Sequence, residues 1–380
     1  MKAIKYILIS IFSILILGFA IMFIIWASYP KKKINLFVLD KTVKDFEYLQ
    51  HKSLFWTLNN ERFVMQNGSN YSIENDYNGF VPLDNKEYKI KRISLEQIDS
   101  LSTTYDALYY TDAYGVYFDE WFRGFKEGLN GVKSFIDGGL NQNDYLFLKA
   151  MKDKKKLIIG EYNILEYPTS EVVRYKTEQL FGVRSTGWVG RYYELLDSTK
   201  KIVPKWIIDI YKANNANQWP FKKSGLVFYN SGNIFVLEMG KQLKSDKIII
   251  VSSDKLKKLY GLPKCINYYN WFEVVEPADT NKILANYQLN LTKNGDSIVL
   301  SHNLKAAFPA IIANFNNNNK IYYFAGDFAD NYVHKYFSRL ANSRSWLRKL
   351  TLNDSKLFFY NYYFLLVNGI LNNYSSNIKN

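Results

Sequence analysis

Four acidic residues stand at or just past the ends of expected strands: Asp40, Asp112, Glu161 and Asp327, with Asp330 close behind the last in Gly326-Asp327-Phe328-Ala329-Asp330. In open α/β sheets ligands bind at the carboxyl ends of parallel strands. Carboxylates gathered there can bind a cation, grip sugar hydroxyls or serve as an acid and base pair. The same residue types also cap the helices and turns that follow strands. Asp327 and Asp330 stand out, because Gly326 would let backbone approach a ligand closely. A second cluster is Gly187-Trp188-Val189-Gly190-Arg191. Trp188 could stack on a sugar ring, and Arg191 could hold a carboxylate or phosphate through two hydrogen bonds. The alternative is a twisted strand with a packed tryptophan.

Other chemistries find little material. A single cysteine, Cys265, excludes an intramolecular disulfide and any Cys-cluster metal site. His51, His302 and His334 are isolated in sequence and read as structural, so neither a metal nor a cofactor is expected. No Gly-x-x-x-x-Gly-Lys or Gly-x-Gly-x-x-Gly pattern supports nucleotide binding. The net charge of +14 points to an anionic neighbourhood such as lipid headgroups or acidic glycans. Tyrosine is abundant at 31 residues, but Tyr, Asn and Lys together follow AT-rich codons, so the count does not mark a site. With no recognised binding motif, nucleic acid is not an expected partner.

The elements that would position the acids read as strands alternating with helices, the pattern of an α/β fold with a parallel sheet. Short apolar runs ending in an acid mark strands at 34–40, 105–112 and 157–163, with a further one at 88–93. Helices are expected at 46–58, 144–152 and 170–181, the last with Ser170 as N-cap and Gly182 as C-cap. Residues 67–85 read as a polar loop. From about Lys201 the chain becomes β-rich, with hairpins expected around Ser231-Gly232-Asn233, around Asn294-Gly295 and across the Asn-rich 316–319, then an aromatic helix at 357–371.

Tyr6 to Ala27 contains no charged residue, and about 20 such residues span a bilayer core as a helix. Trp26 and Tyr29 fall where an interfacial aromatic belt would lie, followed by Pro30 and three lysines. A small-x-small cleavage site exists at Gly18-Phe19-Ala20, but cutting there would leave an apolar stub, so an uncleaved single-pass anchor is expected. Flanking charge is nearly balanced, and the large domain is expected outside the cytoplasm.

Phe135-Ile136-Asp137-Gly138-Gly139-Leu140, a helix, and then Leu157 to Ile164 together resemble the class I glutamine amidotransferase-like superfamily. There a Gly-Gly turn follows one strand, and a later strand ends in an elbow of the form Gly-x-Cys-x-Gly. Phe308 to Phe328 is similar to the terminal hairpin of membrane-associated members. The resemblance implies a flavodoxin-like, mainly parallel sheet flanked by helices. It also implies that Glu161 ends the elbow strand, whose sharp turn lifts a side chain into the pocket. The nucleophile slot holds Tyr162, Ile164 replaces the second elbow glycine, and no His-x-Glu pair is present. Thiolate attack needs a cysteine beside a base, so glutamine hydrolysis is not expected.

The expected organisation is a cytoplasmic tail (1–5), a transmembrane helix (6–27), an α/β core (34–200), a β-rich insertion (201–305) and a return to the core with a C-terminal helix (306–380). Two functions remain open, with a scaffold for a transporter or export complex, needing no pocket, as a third. One is a membrane-anchored envelope protein, catalytically degenerate, binding a ligand, glycan or protein partner at the strand-end crevice. The other is a hydrolase of a glycan or related envelope substrate that uses carboxylates. In either case Glu161, Asp327 and Arg191 would line one crevice, with Asp40, Asp112, Tyr162 and Trp188 as further candidates.

Overall fold

The computed structural model describes residues 2–124, 134–245, 247–315 and 320–378. The Asn-rich loop expected at 316–319 lies outside them, although the two strands flanking it do form an antiparallel pair. Among the described residues, fourteen strands of four residues or more, labelled in chain order, build the two larger sheets. They are β1 (Leu36–Asp40), β2 (Asn78–Pro82), β3 (Tyr88–Lys91), β4 (Ala107–Asp112), β5 (Leu157–Glu161), β6 (Val183–Tyr193) and β7 (Gly225–Asn230). Then come β8 (Asn233–Glu238), β9 (Ile248–Ser252), β10 (Cys265–Tyr268), β11 (Phe272–Pro277), β12 (Ile283–Gln288), β13 (Ala307–Asn314) and β14 (Lys320–Phe324).

Ten of these strands form one sheet in the order β10-β9-β12-β13-β14-β5-β4-β1-β2-β3. Only its centre is parallel: β14 with β5, β5 with β4, β4 with β1, and β1 with β2. The other pairings are antiparallel, so the sheet is mixed, not mainly parallel. The antiparallel half comes largely from the β-rich stretch after Lys201, whose strands divide between this sheet and a second one, β8-β7-β6-β11.

The central strands are apolar on both faces because helices cover both. Neighbouring tyrosines on β4 show the two layers, since successive side chains point to opposite faces of a strand. The Tyr109 hydroxyl meets that of Tyr363, next to the C-terminal helix Phe364–Ile378, at 3.1 Å. The Tyr110 hydroxyl donates to the Asp144 carbonyl on the helix Gln142–Asp153 at 3.0 Å. That helix starts from an Asn141 capping box, and the helix Glu171–Phe181 ends at Gly182 in the left-handed region. Ser170 precedes the latter helix but makes no capping bond with its side chain.

Local expectations fail where a tertiary partner outweighs turn chemistry. Residues 67–85 include β2, which pairs with β1, so they are not all loop. Asn294 and Gly295 lie in the first turn of the helix Lys293–Ser301, capped by the Thr292 hydroxyl, and form no hairpin turn. Phe135–Asp137 pairs with Val116–Tyr117 in a small separate sheet, so the Gly138-Gly139 turn does not follow a strand of the main sheet.

The chain begins with α1 (Lys2–Ser28), whose 25 residues Ile4–Ser28 are long and apolar enough to cross a membrane. Trp26 does not sit in an open belt. It is buried, its indole N–H donates to the Asn59 carbonyl at 3.0 Å, and the Arg62 guanidinium lies 4.6 Å over its ring.

Candidate functional site

Four neighbouring parallel strands in spatial order, β14, β5, β4 and β1, lead at their carboxyl ends to Asp327, Glu161, Asp112 and Asp40. Asp40 pairs directly with Asp112 across β1 and β4, and Phe324 with Glu161 across β14 and β5. Residues far apart in sequence are thus brought to one edge by the sheet, as expected for strand ends in an α/β core.

The four acids differ in what they can still do. Glu161 is fully buried and its oxygens are engaged. Oε2 accepts from the backbone N–H groups of Phe328 and Ala329 at 3.1 and 3.0 Å, and Oε1 accepts from the Tyr109 hydroxyl. Burial pushes its carboxyl up to about 8, against the pull of those three donors. Glu161 therefore fastens the 328–329 backbone to the sheet. Asp40 is equally buried: Oδ2 lies 2.6 Å from His51 Nδ1, and Oδ1 accepts from the Thr42 N–H at 2.9 Å. The other imidazole nitrogen, Nε2, is 3.1 Å from the Ile73 carbonyl, which can only accept, so Nε2 carries a proton. Nδ1 faces the Asp40 carboxyl, so the imidazole has no free nitrogen for a substrate. His51 is thus a buried, structural histidine, and its eleven-residue separation from Asp40 offers no local signal of the contact.

Asp112 and Asp327 are buried as well, at 6% and 8% exposure. Asp112 accepts from the Tyr114 N–H at 2.7 Å, and Thr42 and Asn163 also bond its side chain. Burial and the neighbouring Asp40 push it up to about 7. Asp327 is held well above the usual carboxylate range by burial, then by Asp330, Asp112 and Glu161. Asp330 is raised by burial, with Asp327, Arg191 and Lys44 pulling the other way. Arg191 completes the group from β6, its guanidinium lying 5.5 Å from both the Tyr193 and Trp271 rings.

The remaining candidates are placed as follows. Tyr162 is buried, and its hydroxyl is pushed well above the ordinary tyrosine range by burial and then by Glu273, Asp112 and Asp327. Trp188 is buried against Phe235 and His302 at centroid distances of 5.1 and 5.2 Å, a packed position in a strand. Gly326 does not clear a path for a ligand. A Cβ there would lie 2.2 Å from the Tyr287 hydroxyl and 2.7 Å from that of Tyr268, so the glycine makes room for two tyrosines. No elbow follows β5 either: the left-handed residue is Asn163, and the next helix starts only at Glu171. Gly139, φ 63°, donates its N–H to the Ala113 carbonyl at 2.6 Å, so that turn is committed to packing.

Among the described residues, no group of three or more His, Cys, Asp or Glu side chains is placed to hold a metal ion. A cavity of about 430 Å³ lies elsewhere, at the start of β1, lined by residues including Asn35, Gln66, Tyr71, Asp76 and Lys91. It contains none of the strand-end acids, and the convergence of perturbed carboxyls is the better guide to chemistry.

These features define an α/β protein with a mixed sheet, an N-terminal apolar helix and a carboxyl-rich edge. No protein-family model matches the chain, and no curated protein sequence matches it significantly. Solved structures similar to it include two proteins described as ThuA-like. One, from Parabacteroides merdae ATCC 43184, has 10% identity over 78% of this chain and 79% of its own, with a TM-score of 0.34. The other, from Bacteroides uniformis ATCC 8492, has 8% identity over 89% and 94%, with a TM-score of 0.37. A third is Agd3, a carbohydrate deacetylase, at 10% identity and a TM-score of 0.34, of which this chain spans 32%. Likeness this loose assigns neither family nor activity.

Proposed function

We propose that the chain is a membrane-anchored, extracytoplasmic protein built on an amidotransferase-like core without thiol chemistry, and that it binds a polyhydroxylated ligand, a glycan, at the carboxyl edge of the sheet. The observation that carries this reading is the gathering of acids at one sheet edge: Glu161 and Asp40 are held by donors of the fold, and Asp112 and Asp327 beside them carry raised proton affinity. Carboxyl acceptors beside Arg191 and the Trp271 ring suit sugar hydroxyls and a sugar face. The lone thiol, Cys265, is exposed at the start of β10, and neither Glu161 nor Tyr162 supplies a nucleophile in its place. A hydrolytic reading is favoured by one observation, that Asp112 is raised to about 7 and Asp327 is raised well above the usual carboxylate range, so protonated and ionised carboxyls can coexist there near neutrality.

The test is calorimetric titration of the detergent-solubilised full chain with chito-, cello- and manno-oligosaccharides, compared with Asp327→Asn and Arg191→Ala. Binding of at least one series by the native chain, weakened tenfold or more by both substitutions, is expected. Reducing ends released by the native chain and not by Asp112→Asn would establish the hydrolytic form. No binding to any series, or binding that Asp327→Asn leaves unchanged, would refute the site.

A further inference from the structure

We infer that the segment from Tyr332 to Leu352 lies in the membrane interface and engages anionic lipid headgroups, so that the domain is seated on the bilayer and not merely tethered to it. This rests on the anchor reading of α1.

Depth follows from counting along α1. The last charge before the apolar run is Lys5, and about 20 residues, or 30 Å, cross the hydrocarbon, which brings the far boundary to about Ile25. Phe19 and Met22 then lie about 9 and 5 Å inside that boundary at 1.5 Å per residue. Both touch the domain. The Phe19 ring stacks on Phe337 at 6.4 Å, and the Ala341 N–H donates to the Met22 carbonyl at 3.0 Å. Residues 337–341 are therefore carried to the level of the interface or below it.

The composition of the segment matches that depth. Tyr332, Tyr336, Leu350 and Leu352 are 70%, 80%, 71% and 97% exposed, an unusual density of large apolar and aromatic groups along one stretch of chain for a water-facing surface. Exposed Arg339, Arg348 and Lys349 lie among them, with the helix Ser343–Leu350 between Leu340 and Leu352. Aromatic rings, aliphatic tips and cations side by side are what an interfacial element presents to acyl chains and headgroups. Backbone near hydrocarbon must be satisfied internally. Here the Asn60 amide donates to the Ser338 carbonyl at 3.0 Å and to the Leu340 carbonyl at 3.4 Å.

The experiment uses the full chain in nanodiscs of phosphatidylcholine with phosphatidylglycerol. In a Cys265→Ser background, an environment-sensitive fluorophore is placed singly at Leu350→Cys, Leu352→Cys, Ile14→Cys in the span, and exposed Lys200→Cys on the second sheet's side. Lipids carrying a shallow spin label should quench the probes at 350 and 352 at least twofold more than the probe at 200. Arg348→Glu with Lys349→Glu should halve that quenching. Lipids labelled deep in the acyl chain should quench the probe at Ile14, and absence of that quenching would sink the anchor reading. Quenching at Ile14 with positions 350 and 352 behaving like 200 would overturn this inference alone.

Discussion

Replacing Glu161 by Gln asks which form of the buried carboxyl the fold uses. Three donors converge on it, from Tyr109, Phe328 and Ala329, and these favour the carboxylate. Burial away from water opposes them and is larger, leaving the group at about 8 in place of 4.5. That gap corresponds to roughly 5 kcal/mol of coupling between folding and protonation. The sign follows from proton counting. Between 4.5 and about 8 the folded chain holds a proton that the unfolded chain has released. The stabilisation is complete below that window and is lost as pH rises through it. Gln cannot ionise. Its oxygen can accept from the two backbone N–H groups, and its amide can donate to the Tyr109 oxygen, whose own proton can turn to Tyr363 at 3.1 Å. Glu161→Gln should therefore stay within about 1 kcal/mol of the native chain near pH 5 and exceed it by roughly 2 kcal/mol or more near pH 9. Glu161→Leu, which strands all three donors, should cost roughly 3 kcal/mol or more. Urea denaturation of the full chain in micelles, followed by tryptophan fluorescence across this pH range, reads both. A Gln variant whose penalty grows in alkali would mean that the carboxylate is the native form and that the donors outweigh burial.

Two further substitutions probe the supports of the site. His51→Ala removes the 2.6 Å partner of a fully buried Asp40 and should cost roughly 3–5 kcal/mol in the same denaturation assay; a loss under about 1 kcal/mol would contradict the pair. Gly326→Ala places a Cβ on the Tyr287 hydroxyl and should cost roughly 1–3 kcal/mol, part of which Tyr287→Phe should restore; additive losses in the double-mutant cycle would show that the clash is not there.

Strands were legible where apolar residues run unbroken to an acid. Leu36–Asp40, Ala107–Asp112 and Leu157–Glu161 are buried on both faces by helices, and that burial is what forces the run. The neighbour order of those strands was not legible, because it depends on which long connection crosses which face. Strand direction in the second half was equally hidden, since an apolar run carries no mark of parallel or antiparallel pairing. Asn294-Gly295 shows the limit of local chemistry: the same dipeptide that favours a hairpin is absorbed into a helix once Thr292 caps it. At the site, the convergence of acids could be anticipated from strand ends, but their ranking could not. Glu161 and Asp327 look alike in sequence, and only the Tyr109 hydroxyl and the 328–329 backbone distinguish them.

Burying several acids together is expensive unless donors or cations compensate. This chain compensates chiefly with neutral donors. Glu161 is met by Tyr109, which in turn meets Tyr363; Glu273, also fully buried, is met by the Tyr323 hydroxyl; Asp40 is met by imidazole. A buried tyrosine needs an acceptor as much as a buried carboxyl needs a donor, so each pairing relieves two desolvated groups at once. The tyrosine content therefore has a structural use, whatever codon bias supplies it. The scheme also accounts for where compensation stops. Asp112 and Asp327 keep raised proton affinity, and Arg191, braced by Tyr193 and Trp271, acts on Asp330 through its charge. Perturbed carboxyls grouped at one strand-end edge, with a guanidinium acting on the nearest of them, are the pattern on which the proposed binding site rests.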